Sequence, residues 1–73
     1  MYNFNKHIQA QGFDVKVDTA ANYGCFEHDE HGEDLGGGLW FEGKNLVDYD
    51  GVMVLPEEVV SILLEMGFIL DGF

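Results

Sequence analysis

The chain has 73 residues, 14 acids against 3 bases and a formal net charge of -11, yet 47% of its residues are hydrophobic and 14% aromatic. That length suits one domain spanning residues 1–73, near the size at which a single core is marginally sufficient. The apolar content excludes an acidic disordered tail, and the charge excludes phosphate backbones and anionic membranes as partners chosen by electrostatics.

Along the chain, Phe4, His7, Ile8 and Gln11 share one face at helical spacing, with Asn3 or Asn5 as N-cap and Gly12 as stop, so a short first helix is expected. Residues 13–18 alternate Phe13, Val15 and Val17 with Asp14, Lys16 and Asp18, the period of a half-buried strand whose outer face is mainly acidic. Residues 19–22 read as a turn and residues 23–28 as a second, aromatic-rich strand. Residues 29–38 hold Gly32, Gly36, Gly37 and Gly38 among Asp29, Glu30, Glu33 and Asp34, and read as a mobile loop.

Residues 39–42 and 46–49 flank Gly43, Lys44 and Asn45, a connection that suits a hairpin. Residues 52–55 read either as a short strand or as an extended lead-in to a second helix. Pro56 suits the first position of that helix, Glu57 and Glu58 favour its positive end, and Val59, Val60, Ile62, Leu63, Leu64 and Met66 supply a broad apolar surface. Gly67 ends it, and residues 68–70 return as an edge or central strand. The expected class is α+β: an antiparallel sheet of about four to five strands with two helices, in the order α-β-β-β-β-α-β. Gln11-Gly12-Phe13 and Met66-Gly67-Phe68 look alike, which common helix-stop chemistry explains.

Cys25 is alone, so no intramolecular disulfide is expected, and its acidic neighbours oppose a reactive thiolate; it reads as a strand-core cysteine. No basic segment precedes an apolar run, and the apolar-rich stretches are too short to cross a bilayer, so a reduced, cytoplasmic location is expected. His28 and His31, with Asp29 and Glu30 between them, could ligate a divalent metal, but the spacing is neither that of the helical H-E-x-x-H motif nor that of an EF-hand. Solvated loop histidines are the plainer reading, and no metal or other cofactor is expected. Gly36, Gly37 and Gly38 lack the spacing of a phosphate loop and follow carboxylates that would repel phosphate. No catalytic constellation emerges, so a non-enzymatic role is expected.

Geometry then gives the charge a use. Same-face residues on a strand lie roughly 6.6 to 6.8 Å apart and neighbouring strands about 4.8 Å apart, so outward acids on several strands form an anionic array. Asp14, Asp18, Glu27, Glu42, Asp48 and Asp50 are its expected members, joined by Asp29, Glu30, Glu33 and Asp34 of the loop. Trp40, flanked by acids, is either a core or edge aromatic or an exposed anchor for a partner. DNA-binding proteins meet duplex charge first through Lys and Arg. A rigid carboxylate surface fits the same groove, so the expected partner is the basic DNA-binding groove of another protein, with no direct contact to nucleic acid. Solubility alone calls for a charge of about 2 to 8 on a small domain.

The residues NYGCFEHDEHGEDLGGGLWF and LVDYDGVMVLPEEVV resemble a group of small acidic proteins encoded by bacteriophages and prophages. Within that setting the chain is similar in size and charge to the anti-CRISPR inhibitors, several of which imitate DNA. The resemblance implies a stoichiometric inhibitor acting in the host bacterial cytoplasm. Its implied target is a Cas protein, with a type I Cascade favoured over Cas9, bound where target DNA or its PAM duplex would sit. It assigns no residue a role. Two other readings stand beside it: a mimic aimed at a restriction enzyme, nucleoid protein, repressor or glycosylase, and a small metal- or ligand-binding regulatory module built on residues 28–34.

Overall fold

Alternation of side-chain facing, not helical period, governs the N-terminal part of the chain. The computed structural model describes residues 2–71 and shows five antiparallel strands in sequence order followed by one helix. The strands are β1 (Lys6–Ala10), β2 (Phe13–Asp18), β3 (Tyr23–His28), β4 (Gly32–Glu42) and β5 (Asn45–Tyr49), and the helix is α1 (Glu57–Glu65). The class is α+β, with one helix in place of the two expected.

The expected first helix is strand β1. Its few residues fit a helical period, but a helix that short is marginal in water. Lys6, Ile8 and Ala10 also alternate with His7 and Gln9, and pairing with β2 in unbroken register, from Lys6 opposite Val17 to Ala10 opposite Phe13, satisfies the backbone and sets Ile8 and Ala10 against the core. Gln11 and Gly12 join the two strands with φ of 55° and 85°. Paired positive angles of this kind match the twist of a tight hairpin. Gly12 is therefore a turn residue, and its likeness to Gly67 does not extend to structure.

β2 and β3 keep their expected boundaries, and residues 19–22 form the turn between them. The mobile loop expected at residues 29–38 is not present: only residues 29–31 turn, and β4 begins at Gly32. The glycines there serve close approach. A β-carbon on Gly37 would overlap the carbonyl oxygen of Asp50, and one on Gly51 would overlap that of Gly36, so the backbone after β5 lies directly against β4.

The sheet buries Phe13, Val15, Val17, Phe26, Leu39, Phe41 and Leu46 on one face. Against them lie Val59, Ile62 and Leu63 of α1, with Leu55 and Phe68 on either side of the helix. Each such side chain, fully buried, contributes about 1.5–3 kcal/mol. Residues 52–55 bend toward the helix and form no strand. Pro56 occupies the N-cap position, one residue before the place expected for it, and Glu57 and Glu58 fill the first turn. At the other end Gly67, φ 96°, donates its N–H to the Leu64 carbonyl while Phe68 donates to that of Leu63, the paired bonds of a Schellman stop. The returning segment makes one parallel bridge, Ile69 to Asn45, on the outer edge of β5.

Candidate functional site: the open face of the sheet

With α1 covering one face, the strand registers decide what the other presents. Asp14 stands opposite Glu27, Lys16 opposite Cys25, and Asp18 opposite Tyr23. Tyr23 is opposite Trp40 and Cys25 opposite Gly38; Trp40 in turn is opposite Asp48, and Glu42 opposite Asn45. Because alternate residues share a face, Asp14, Glu27, Glu42 and Asp48 are brought to one surface from β2, β3, β4 and β5, as the alternation predicts. Asp29 and Glu30 lie exposed in the turn after β3, and Asp34 is exposed on β4. The side chain of Glu33 lies outside the described set.

Asp18 departs from expectation. It is only 6% exposed, and its carboxylate accepts the N–H groups of Asn3 at 2.8 Å, Ala20 at 3.0 Å and Ala21 at 3.1 Å. The Asn3 amide first, then those of Ala21 and Ala20, hold its pKa below the ordinary carboxylate value against the opposing effect of burial. Asp18 fastens the N-terminal segment to the β2–β3 turn and is not part of the display. Alternation put it outward because pattern alone does not register that residues 2–5 return across the strand end.

The open face is not flat. A concavity of about 520 Å³ is lined by Asp14, Lys16, Tyr23, Cys25, Glu27 and Asp50, with the backbone of Gly36, Gly37 and Gly51 contributing to its wall. Of the three glycines of β4 at residues 36–38, Gly36 and Gly37 line the hollow, while the space above Gly38 is taken by the Trp40 ring. Trp40 leans over Gly38: a β-carbon there would stand 2.7 Å from the indole Cη2 and 3.3 Å from Asp50 Oδ1. Trp40 remains 38% exposed and so lies outside the core. Tyr23 sits between it and Tyr2, with ring centroids 5.5 Å and 4.5 Å away respectively.

The carboxylates around this hollow differ in freedom. Asp50 Oδ1 accepts the Gly38 N–H at 2.6 Å, and the Asp50 N–H donates to the Gly38 carbonyl at 3.1 Å, which fixes the side chain beyond the end of β5. Asp14 contacts His7 Nε2 through Oδ1, and its Oδ2 lies 4.0 Å from Lys16 Nζ. Glu27 is exposed.

Cys25, expected in the core, is half-buried on this open face instead. The alternation Tyr23, Cys25, Glu27 carried that placement in the sequence, along with the aromatic row that sequence reasoning overlooked. Burial chiefly pushes the Cys25 thiol up, Lys16 opposes it, and Glu27 and Asp14 add to it. The thiol stays protonated at neutral pH, unsuited to nucleophilic work. Burial likewise raises the Tyr23 hydroxyl, with smaller contributions from Cys25, Tyr2 and Asp50.

His28 uses Nδ1 to accept the N–H groups of Glu30 at 3.1 Å and His31 at 3.3 Å, and its ring meets Phe13 edge-on at 4.9 Å. One of its two possible ligand atoms is thereby engaged. Among the described residues no three His, Cys, Asp or Glu side chains converge as a metal centre requires. Nor, among these residues, is any helix long and apolar enough to cross a membrane. Comparison of the chain with protein-family models, curated proteins and solved structures gave no match.

Proposed function

We propose that this protein is a non-enzymatic inhibitor that presents the open face of its sheet to the DNA-binding groove of another protein and excludes DNA from it. The observation that carries this reading is the gathering of Asp14, Glu27, Glu42 and Asp48, from four successive strands, on the face opposite the helix. Hydrogen-bonded strands fix the spacing of such charges, so the surface meets a Lys/Arg groove with little ordering left to do. The overall charge of -11 adds long-range attraction to a basic partner and repulsion from nucleic acid.

Within this reading the target is a Cas protein of a type I Cascade, and the protein is a phage-encoded anti-CRISPR; the support is the resemblance of its residues, size and charge to that class. Competition tests it. Saturating Cascade with the protein should abolish binding of a specific PAM-containing duplex, and excess duplex should displace the protein. A ternary complex with full DNA affinity overturns the mimic reading. If Cascade does not bind, affinity capture from host lysate followed by identification of a different DNA-binding protein moves the same mechanism to that target.

A further inference from the structure

We infer that the groove between β5 and the start of α1 is a second docking surface, which takes one apolar side chain of a basic partner while a lysine or arginine beside that side chain meets Glu57. The inference does not depend on whether the open face excludes DNA.

Exposed apolar surface gathers at this groove. A hollow of about 320 Å³ is lined by Tyr49 of β5, by Val54 and Leu55 of the bend, and by Glu57 and Val60 of α1. Its size lies at the lower end of cavities that enclose a ligand group. Val54 is 78% exposed and its neighbour Met53 97%, and Leu64, one helical turn beyond Val60, is 55% exposed. Large apolar side chains exposed together, as opposed to singly, mark a contact with another molecule.

The groove is built before any partner arrives. The Tyr49 hydroxyl donates to the Met53 carbonyl at 3.1 Å, and Leu55, buried in the core, fixes the end of the bend where α1 begins. Little ordering is then left for binding to oppose.

Charge selects the occupant. Glu57 is the charged residue of the lining. Among the described residues, contacts between a carboxylate and a cation are confined to Asp14, so no cation of the chain itself meets Glu57. The helix start accommodates that charge and leaves it open to a cation from outside. A second copy of the chain would bring another Glu57 and a further charge of -11 to the same place, and an anionic membrane would be repelled likewise. An apolar side chain flanked by lysine or arginine meets both the apolar lining and the carboxylate.

The test uses three capped hexapeptides: Lys-Lys-Leu-Leu-Lys-Lys, the same peptide with serine for leucine, and the same peptide with glutamate for lysine. Each is titrated into the whole protein and followed by amide shifts in an NMR spectrum. The leucine and lysine peptide should bind about tenfold more tightly than its serine counterpart, the gain that partial burial of a leucine side chain gives. Its shifts should centre on Tyr49, Val54, Glu57 and Val60, and the glutamate peptide should not bind. Val54→Ser, at an exposed position that tolerates change, should remove most of the preference for leucine. Glu57→Gln should weaken the leucine and lysine peptide severalfold and leave the serine peptide, held by charge elsewhere, unchanged. Equal affinity for the leucine and serine peptides, shifts confined to other surfaces, or a preference that survives both variants overturns the inference. So does a dimer seen by sedimentation that dissociates in Met53→Ser, because the groove would then belong to a second copy.

Discussion

Gly37 and Asp50 approach so closely that one methyl group on Gly37 would overlap the Asp50 carbonyl oxygen. The obstruction is backbone, so no rotamer change relieves it. Gly37→Ala should therefore destabilise the fold by about 1–3 kcal/mol, as overpacking in a close-packed site does. Gly32 is the control. Its φ is 53° and nothing stands within 4 Å of an added β-carbon, so Gly32→Ala carries only backbone strain, about 1–2 kcal/mol at most. Urea denaturation compares the two, and a Gly37→Ala variant as stable as the parent would mean that residues 36–38 are loose after all.

Hydrogen exchange provides a separate view of the same segment. The Gly38 amide is held by Asp50 Oδ1 and that of Phe41 by the Asn22 carbonyl, so both should be protected in the free protein. The amides of Glu30 and His31 donate only to the exposed side of the turn, at His28 Nδ1, and should exchange quickly. Uniformly fast exchange through residues 29–38 would restore the loop reading. The same two bonds require the Nε2–H tautomer of neutral His28, which imidazole nitrogen shifts in an NMR spectrum report directly.

These two segments show where sequence pattern was sufficient and where it was not. β2 and β3 were legible to the residue, because Phe13, Val15 and Val17 alternate strictly with charged residues and each strand is bounded by turn chemistry. α1 was legible from Pro56, the acids behind it and Gly67. β1 was not, since a stretch that short satisfies both periods and only its pairing with β2 decides between them. The glycines of β4 signal either chain freedom or close contact, and the choice depends on the backbone at Asp50 and Gly51, which is adjacent in space only after folding. For the site, alternation placed Asp14, Glu27, Glu42 and Asp48 together, but it could not see that the amides of Asn3, Ala20 and Ala21 occupy Asp18.

Asp18 gives the fold a definite acid dependence. Its pKa is depressed in the folded protein, chiefly by the Asn3 amide, so its contribution to stability is fully present above the unfolded value of about 3.9 and is lost as pH falls through the lower folded value. Asp18→Asn should lower the melting temperature at neutral pH, and the gap from the parent should close as pH drops below about 4. Because residue 3 is released with it, the stacking of Tyr2 on Tyr23 should loosen in step, altering tyrosine and Trp40 fluorescence. A gap that stays constant down to the acid limit would show that the carboxylate charge has no part in the clasp.

Charge reversal separates display from folding most directly. Glu27, Glu42 and Asp48 are exposed on the open face, so replacing each by Lys should change stability by no more than about 0.5 kcal/mol, with the reduced self-repulsion acting in the stabilising direction. Asp14→Lys differs, because it sets a new cation against His7 and Lys16, and it should lower stability measurably. In competition with duplex for the partner, Glu27→Lys, Glu42→Lys and Asp48→Lys should each weaken inhibition and flatten its salt dependence, since exposed pairs are screened over about 8 Å at physiological ionic strength. Reversals should act in proportion to charge, whereas truncating Trp40 should act without altering the salt slope. Unchanged inhibition across the three folded Lys variants would reject the open face as the binding surface and direct attention to the exposed apolar residues Met53, Val54 and Leu64 beyond it.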